Sequence, residues 1–278
     1  MNAAAELGAL HPAPAPRDLR QRRMAYLVAG SAALEVHKDG DPKQRRQSLG
    51  LAGRMVAASR RAAEAEAAAA AAAGGGTGGG TLADAFTALQ EFGIAARRGD
   101  AEGLRAALAA AAGLACVGAE HLLRMAAVVE DPEFSHPDVL MAALTAALAK
   151  LMARGDPDWP RVALVVRQMA GAATSHAERV KVFEEGAQIL GSAPPNEGVG
   201  DEGGATKGYP EREARWLAGS CWNAGLARLR RGDRRGAAPL LRLGLDMLRH
   251  LPRWGAPDRA AMEELAAEVG AAAAGAGG

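Results

Sequence analysis

The feature that most restricts the fold of this chain is a Gly-Asp dipeptide that recurs between stretches of helix-forming residues. It occurs in RRGDAEG (97–103), in ARGDPDW (153–159) and in RRGDRRG (230–236). Glycine adopts the left-handed backbone conformation that ends many helices, and aspartate accepts hydrogen bonds from the free N–H groups at the start of the next helix. Three junctions of this kind in one chain predict a repeated helical hairpin.

The residues between these junctions favour helices over strands. Only 4% of the 278 residues are aromatic, although 49% are apolar, and most of the apolar residues are Ala, with Leu and Val. Alanine is the strongest helix former, whereas the aromatic and β-branched residues that favour strands are scarce. The sequence therefore predicts an all-α fold, with helices near 18–36, 42–73, 82–98, 101–114, 117–129, 136–154, 158–172, 176–191, 210–231, 234–250 and 257–274.

Breaks in composition divide the chain into segments. Proline is frequent at the N-terminus, GGGTGGG interrupts the chain after an alanine-rich helix, and APPNEGVGDEGGATKG is typical of an exposed insertion. The glycine run lacks the Gly-Lys-Ser/Thr of a phosphate-binding loop, which favours a linker. The predicted segments are a flexible leader (1–16), a helical segment (17–73), a linker (74–81) and a helical repeat domain (82–275) with a disordered insertion near 193–208.

The segment CWNAGLARLRRGDRRGAAPLLRLGLDMLRHLP resembles the tetratricopeptide repeat. Gly225 precedes the turn glycine, Gly232, by seven residues; Asp233 follows the turn, and the small residue Ala237 comes five after it. Small residues where two helices cross allow their backbones to approach closely. The resemblance implies an α-solenoid of tetratricopeptide-like hairpins. The positions that usually carry large aromatics hold Cys221 and Arg228, and the closing proline comes three residues late.

The preceding segment, YPEREARWLAGSCWNAGL (209–226), is similar to a signature of the meiotic crossover and synapsis scaffold family, the long tetratricopeptide-like proteins of the Zip/Spo/testis-expressed group. The likeness extends over roughly residues 82–255 and is strongest in the last 45 or so. The residues that carry it are Tyr209-Pro210, Glu213, Trp216-Leu217, Trp222-Asn223 and Gly225.

Membership in that family implies a non-enzymatic scaffold of meiotic prophase, located in the nucleus on chromosomes. Such a protein would join crossover-promoting proteins to the chromosome axis and assist assembly of the synaptonemal complex. Its partners would be other meiotic crossover or chromosome-axis proteins, and it would need no cofactor and no small-molecule substrate. The alternative is a generic tetratricopeptide adaptor in a non-meiotic intracellular complex.

Three residues are candidates for partner contact: Trp216, Asn223 and Arg228. Trp216 shares a helix face with Ser220 and Asn223, and tryptophan is enriched in binding hot spots, although packing in the core is the alternative. Trp222 is expected to pack against the next helix.

Arg228 belongs to a basic cluster around the Gly-Asp turn. Such a cluster could bind DNA phosphates, or it could offset the helix dipole and keep an alanine-rich helix in solution. The formal net charge of the chain is only +1, which does not favour a nucleic-acid partner.

The sequence offers no motif for catalysis, metal binding or membrane insertion. The six histidines are scattered, and no His-Glu-x-x-His, Cys-x-x-Cys or Gly-x-Ser-x-Gly pattern occurs. Cys116 and Cys221 lie within helical patterns and are expected to be small packed residues. No uncharged stretch reaches the roughly 20 apolar residues that span a bilayer.

Overall fold

A computed structural model describes residues 16–72, 80–194, 208–251 and 256–275, and this part of the chain is helical and contains no strand. The all-α prediction is confirmed, and each observed helix end lies within three residues of its predicted position. A 3-10 turn spans Pro132–Phe134. The helices are α1 (Pro16–Asp39), α2 (Pro42–Ala72), α3 (Leu82–Arg98), α4 (Ala101–Gly113), α5 (Ala119–Glu130), α6 (Pro137–Met152), α7 (Trp159–Ala172), α8 (His176–Ser192), α9 (Glu211–Arg230), α10 (Arg234–Leu248) and α11 (Ala256–Gly275).

Some predicted segments lie outside the described residues. These are almost all of the leader (1–15), most of the glycine-rich linker (73–79) and most of the insertion (195–207). The chain divides into two compact units, and the division falls within α6, between Ala143 and Leu144. The single repeat domain over 82–275 stays a prediction, because this division falls inside it.

In the first unit, α1 packs along α2, and both helices contact α3. Leu34 of α1, Val56 of α2 and Ile94 of α3 meet in one buried cluster together with two alanines. Alanine-rich helices bury little area per residue, so close contact between three helices is needed to build a core. The N-terminal helices are therefore packed against α3 rather than separate from it.

A buried arginine ties α1 to the start of α3. Arg23 is only 4% exposed, its guanidinium donates to Oγ1 of Thr81 at 3.2 Å, and it forms an ion pair with Asp84. Thr81 is the N-cap of α3, and Thr81 and Asp84 form a reciprocal capping box. A second contact comes from Gln90, whose Nε2 donates to the Leu27 carbonyl at 2.6 Å.

Because of the capping box, the stability of the first unit is expected to vary with pH in the acid range. Burial raises the pKa of the Asp84 carboxyl, but the Thr81 N–H and Arg23 outweigh this effect, so the pKa lies below 3.8. A lowered folded pKa contributes stability above the unfolded value and loses it as the pH falls through the folded value. We expect Asp84→Asn to be less stable at pH 6 than the original chain, and to lose less stability as the pH falls below about 4, in urea unfolding followed by far-UV circular dichroism.

In the second unit, the helices follow a regular order of contacts. α7 contacts α8, α9 contacts both α7 and α8, α10 contacts both α8 and α9, and α11 contacts α10. Within the series from α7 to α10, each helix therefore touches the next helix and, where the series provides one, the helix after it. This is the order expected when consecutive helical hairpins stack on one another.

Two of the three Gly-Asp junctions have the predicted geometry. Gly99 and Gly232 have left-handed φ values of 65° and 79°. Asp100 accepts from the N–H of Gly103, and Asp233 accepts from the N–H of Gly236, both at 2.8 Å. In each junction the aspartate caps the first turn of the following helix.

The predicted geometry is wrong at the middle junction. Gly155 does not have positive φ, and Asp158, not Asp156, caps α7 by accepting from the Arg161 N–H at 3.2 Å. Pro157 disfavours the helical conformation at the residue before it, and Pro160 lacks an N–H and is best tolerated in the first helical turn. The two prolines therefore move the start of the helix to Trp159.

The difference between these junctions predicts opposite responses to alanine. Gly232→Ala places a Cβ at a φ of 79° and is expected to lower the free energy of unfolding by about 1–2 kcal/mol. Gly155→Ala is the matched control, because a Cβ there meets nothing within 4 Å, and it should be neutral or slightly stabilising. Urea unfolding followed by tryptophan fluorescence measures both; equal losses would contradict the assigned turns.

Candidate functional site

Helices α9 and α10 cross at positions where no side chain fits. A Cβ added at Gly225 would lie 2.8 Å from Cδ2 and 3.2 Å from the backbone N of Leu241. On the facing helix, a Cβ added at Gly244 would lie 3.3 Å from the Cβ of Trp222. Ala237, one turn before Leu241, is fully buried. The small residues of the predicted repeat thus lie in a tight contact between two helices.

The turn between these helices is held by a charged pair. Asp233 accepts from Nη1 of Arg228 at 2.8 Å in addition to the Gly236 N–H. The Gly236 N–H and then Arg228 hold the pKa of the Asp233 carboxyl below its usual range. Arg228, a predicted partner-contacting residue, is therefore a half-buried part of the turn.

The two neighbouring tryptophans of α9 have different environments. Trp222 is half-buried and packs against a cluster formed by Ala237, Leu241 and Val269, which joins α9, α10 and α11. Trp216 is also half-buried, but it forms a cation–π contact. Cζ of Arg167 lies 4.5 Å from the centroid of its ring. Such a contact contributes roughly 0.5–1 kcal/mol at an exposed site.

A carboxylate fixes the arginine that covers Trp216. Nη1 of Arg167 lies 3.1 and 3.2 Å from the two carboxylate oxygens of Glu213. Arg167 comes from α7, whereas Glu213 and Trp216 lie one helical turn apart on α9. The three side chains form a cluster across two adjacent helices, called the Trp216 cluster below.

The surroundings of the Trp216 cluster are open. Leu164 lies on the same face of α7 as Arg167, and 53% of its surface is exposed. A Cβ added at Gly171 or at Gly219, one turn from Arg167 and from Trp216 respectively, would meet nothing within 4 Å. An aromatic ring, a cation and an exposed leucine therefore share one accessible face.

The third predicted contact residue, Asn223, is exposed on α9 two turns beyond Trp216. Arg167 and Glu213 were not predicted as contact residues. The spacing of Glu213 from Trp216 is a signal that sequence reasoning can use, since residues three apart on a helix are neighbours. Arg167 lies on a different helix, and no local pattern connects it with Trp216.

The cysteines do not resemble catalytic thiols. Cys221 is fully buried, its Sγ donates to the Leu240 carbonyl at 3.2 Å, and burial raises the pKa of the thiol to about 12. A reactive cysteine needs a lowered pKa and access to solvent. Cys116 is half-buried and donates to the Thr81 carbonyl at 3.1 Å.

Neither a metal-binding cluster nor a membrane-spanning helix occurs among the residues that the structure describes. Residues 16–72, 80–194, 208–251 and 256–275 contain no group of three or more His, Cys, Asp or Glu side chains arranged to hold a metal ion. Within the same ranges, each helix is too short or too polar to cross a membrane.

Comparisons with protein-family models, with curated proteins and with solved structures find no match to this chain.

Proposed function

We propose that the chain is a protein–protein interaction scaffold, and that its helices stack as the tetratricopeptide-like hairpins of an α-solenoid. The order of helix contacts from α7 to α10 supports this, as does the tight crossing at Gly225 and Gly244. A scaffold of this kind binds partners on an extended surface made by successive hairpins. On this proposal the chain is not an enzyme and uses no cofactor.

The observation that carries the proposal is the half-exposed Trp216, held in place by Arg167. Tryptophan and arginine are the residue types most enriched in binding hot spots, and both are fixed here before a partner arrives. Side chains that are already ordered lose less entropy on binding. A peptide or helix of a partner protein would lie along α7 and α9, with an apolar side chain against Trp216 and Leu164.

A finer proposal concerns the setting in which the scaffold acts. The similarity of residues 209–226 to the meiotic crossover and synapsis signature supports a role in meiotic prophase, in promoting crossovers and synapsis on chromosomes in the nucleus. Its partners would then be other crossover or chromosome-axis proteins. A generic adaptor outside meiosis is the alternative. Immunolocalisation on spread meiotic chromosomes separates the two, because an adaptor of another complex would leave the chromosome axes unlabelled.

Replacing Trp216 tests the scaffold directly. We expect Trp216→Ala to remain folded and to lower partner affinity by about 30-fold, since truncating a hot-spot tryptophan costs roughly 2 kcal/mol. The measurement is affinity purification from meiotic cells with the full chain as bait, followed by titration of the partner that is recovered.

The matched control is Phe86→Ala, another partly exposed aromatic residue, in the first unit. Equal partner recovery with Trp216→Ala and with the original chain would refute the proposed surface.

A further inference from the structure

A basic cavity of about 270 Å³ lies between the first turn of α8 and the last turns of α9. Its polar lining comes from two short stretches, one at each helix end. The residues are Thr174, Ser175, His176 and Arg179 around the start of α8, and Arg228 and Arg231 at the end of α9. Three arginines and a histidine thus line a single cavity, and none of its described lining residues is acidic. It is called the α8–α9 cavity below.

Two carboxylates, those of Asp233 and Glu178, accept hydrogen bonds from residues that line the cavity. Asp233 accepts from the Gly236 N–H and from the Arg228 guanidinium, both at 2.8 Å. Glu178 accepts from the N–H groups of Thr174 and Ser175, both at 3.0 Å, and these bonds hold the pKa of its carboxyl below the ordinary value. Both groups are therefore ionised at neutral pH, and they are outnumbered by the three guanidinium groups.

The arginines that line the cavity retain N–H donors that the hydrogen bonds described for them do not use. A guanidinium carries five N–H donors. Arg228 uses one donor on Asp233, and Arg179 uses one on the Ala173 carbonyl at 3.2 Å. Arg231 is exposed and forms no ion pair with any residue that the structure describes. The positive end of the α8 dipole, at the same side of the cavity, adds to the attraction for an anion.

We propose that the α8–α9 cavity binds a phosphoryl group carried by a serine or threonine side chain of the partner protein. Three guanidiniums from separate positions suit a dianion with several acceptor oxygens, whereas one bidentate arginine is enough for a carboxylate. A long polyanion such as DNA is disfavoured by the formal net charge of +1. This inference rests on the proposed function and gives the scaffold a second, phosphorylation-dependent contact.

The test uses the full chain and small probes of defined chemistry. N-acetyl-phosphoserine methylamide is titrated into the ¹⁵N-labelled protein, with N-acetyl-aspartate methylamide and a twelve-nucleotide DNA duplex as competing probes. We expect saturable shifts of the amides of Ser175, His176 and Arg231 and of the side-chain Nε–H of the three arginines. The phosphoserine probe should bind more tightly than the aspartate probe.

Two variants remove charge from the cavity and leave the ion pair between Arg228 and Asp233 in place. Arg231→Gln and Arg179→Gln are each expected to lower the affinity for the phosphoserine probe about tenfold. This is the change expected when one charge-assisted hydrogen bond is lost. The matched control is Arg230→Gln, an exposed arginine of the same helical turn that does not line the cavity, and it should change binding less than twofold. Circular dichroism verifies that the variants fold.

Three results would overturn the inference: no saturable shift, equal weakening by the control variant, or tighter binding of the DNA duplex than of phosphoserine.

Failure of the anion site and failure of the scaffold proposal give different results. If no protein partner is found and the phosphoserine probe still binds through Arg179 and Arg231, the scaffold proposal fails and the anion site stands. If a partner binds through Trp216 and the arginine variants have no effect, the scaffold proposal stands and the anion site is refuted.

Discussion

Gly225→Ala is expected to destabilise the second unit by up to about 2 kcal/mol, although alanine is the better helix former. The added Cβ would lie 2.8 Å from Cδ2, 2.9 Å from Cγ and 3.2 Å from the backbone N of Leu241. Leu241 is fully buried, so its side chain has little room to move. Overpacking a dense core costs about 1–3 kcal/mol, and the gain in helix propensity of about 1 kcal/mol offsets only part of that cost.

Gly219→Ala is the matched control on the same helix. A Cβ at Gly219 would meet nothing within 4 Å, so only the gain of about 1 kcal/mol in helix propensity remains. The two substitutions are chemically identical and should differ in sign. Urea unfolding followed by tryptophan fluorescence reports on this unit, since all four tryptophans lie after residue 143. Stabilisation by Gly225→Ala would show that α9 and α10 do not cross closely at this position.

Arg23→Met is expected to destabilise the first unit by about 2 kcal/mol. The substitution keeps the apolar part of the side chain but leaves Asp84 and Thr81 without their buried donor. Breaking a fully buried ion pair costs about 3–5 kcal/mol. The loss here is smaller, because the Asp84 side chain is 31% exposed and water solvates part of its charge.

The control for this substitution is the preceding residue, Arg22, which is exposed. Arg22→Met should change the free energy of unfolding by less than about 0.5 kcal/mol, as is usual for surface positions. Far-UV circular dichroism is the appropriate measurement, because residues 16–143 contain no tryptophan. Equal effects of the two substitutions would mean that the contact between Arg23 and Asp84 contributes little to the packing of α1 on α3.

The features that sequence predicted well are those decided by a few neighbouring residues. The helix ends at Gly99 and Gly232 follow from the need for a left-handed residue, and the caps at Asp100 and Asp233 follow from the free N–H groups of the next helix. The middle junction shows the limit of that reasoning. The same dipeptide lies at Gly155, but nearby prolines change where the next helix begins.

The features that sequence did not predict depend on pairs of residues that are distant in the chain. Trp216 was predicted to contact a partner because it shares a helix face with polar residues. Its contact with Arg167, however, requires α7 and α9 to be neighbours. In the same way, nothing near Arg23 indicates that its partner is a capping aspartate of α3. Such contacts are set by tertiary packing, which hydrophobic periodicity within a single helix does not report.

The burial of Arg23 has a practical consequence for dissecting this chain. A fragment that starts at the glycine-rich stretch would keep the capping aspartate of α3 and lose the cation that neutralises it. It would also uncover Ile94 and Gln90, which α1 and α2 cover in the whole chain. Recombinant pieces that include α3 should therefore retain the residues from 16 onward.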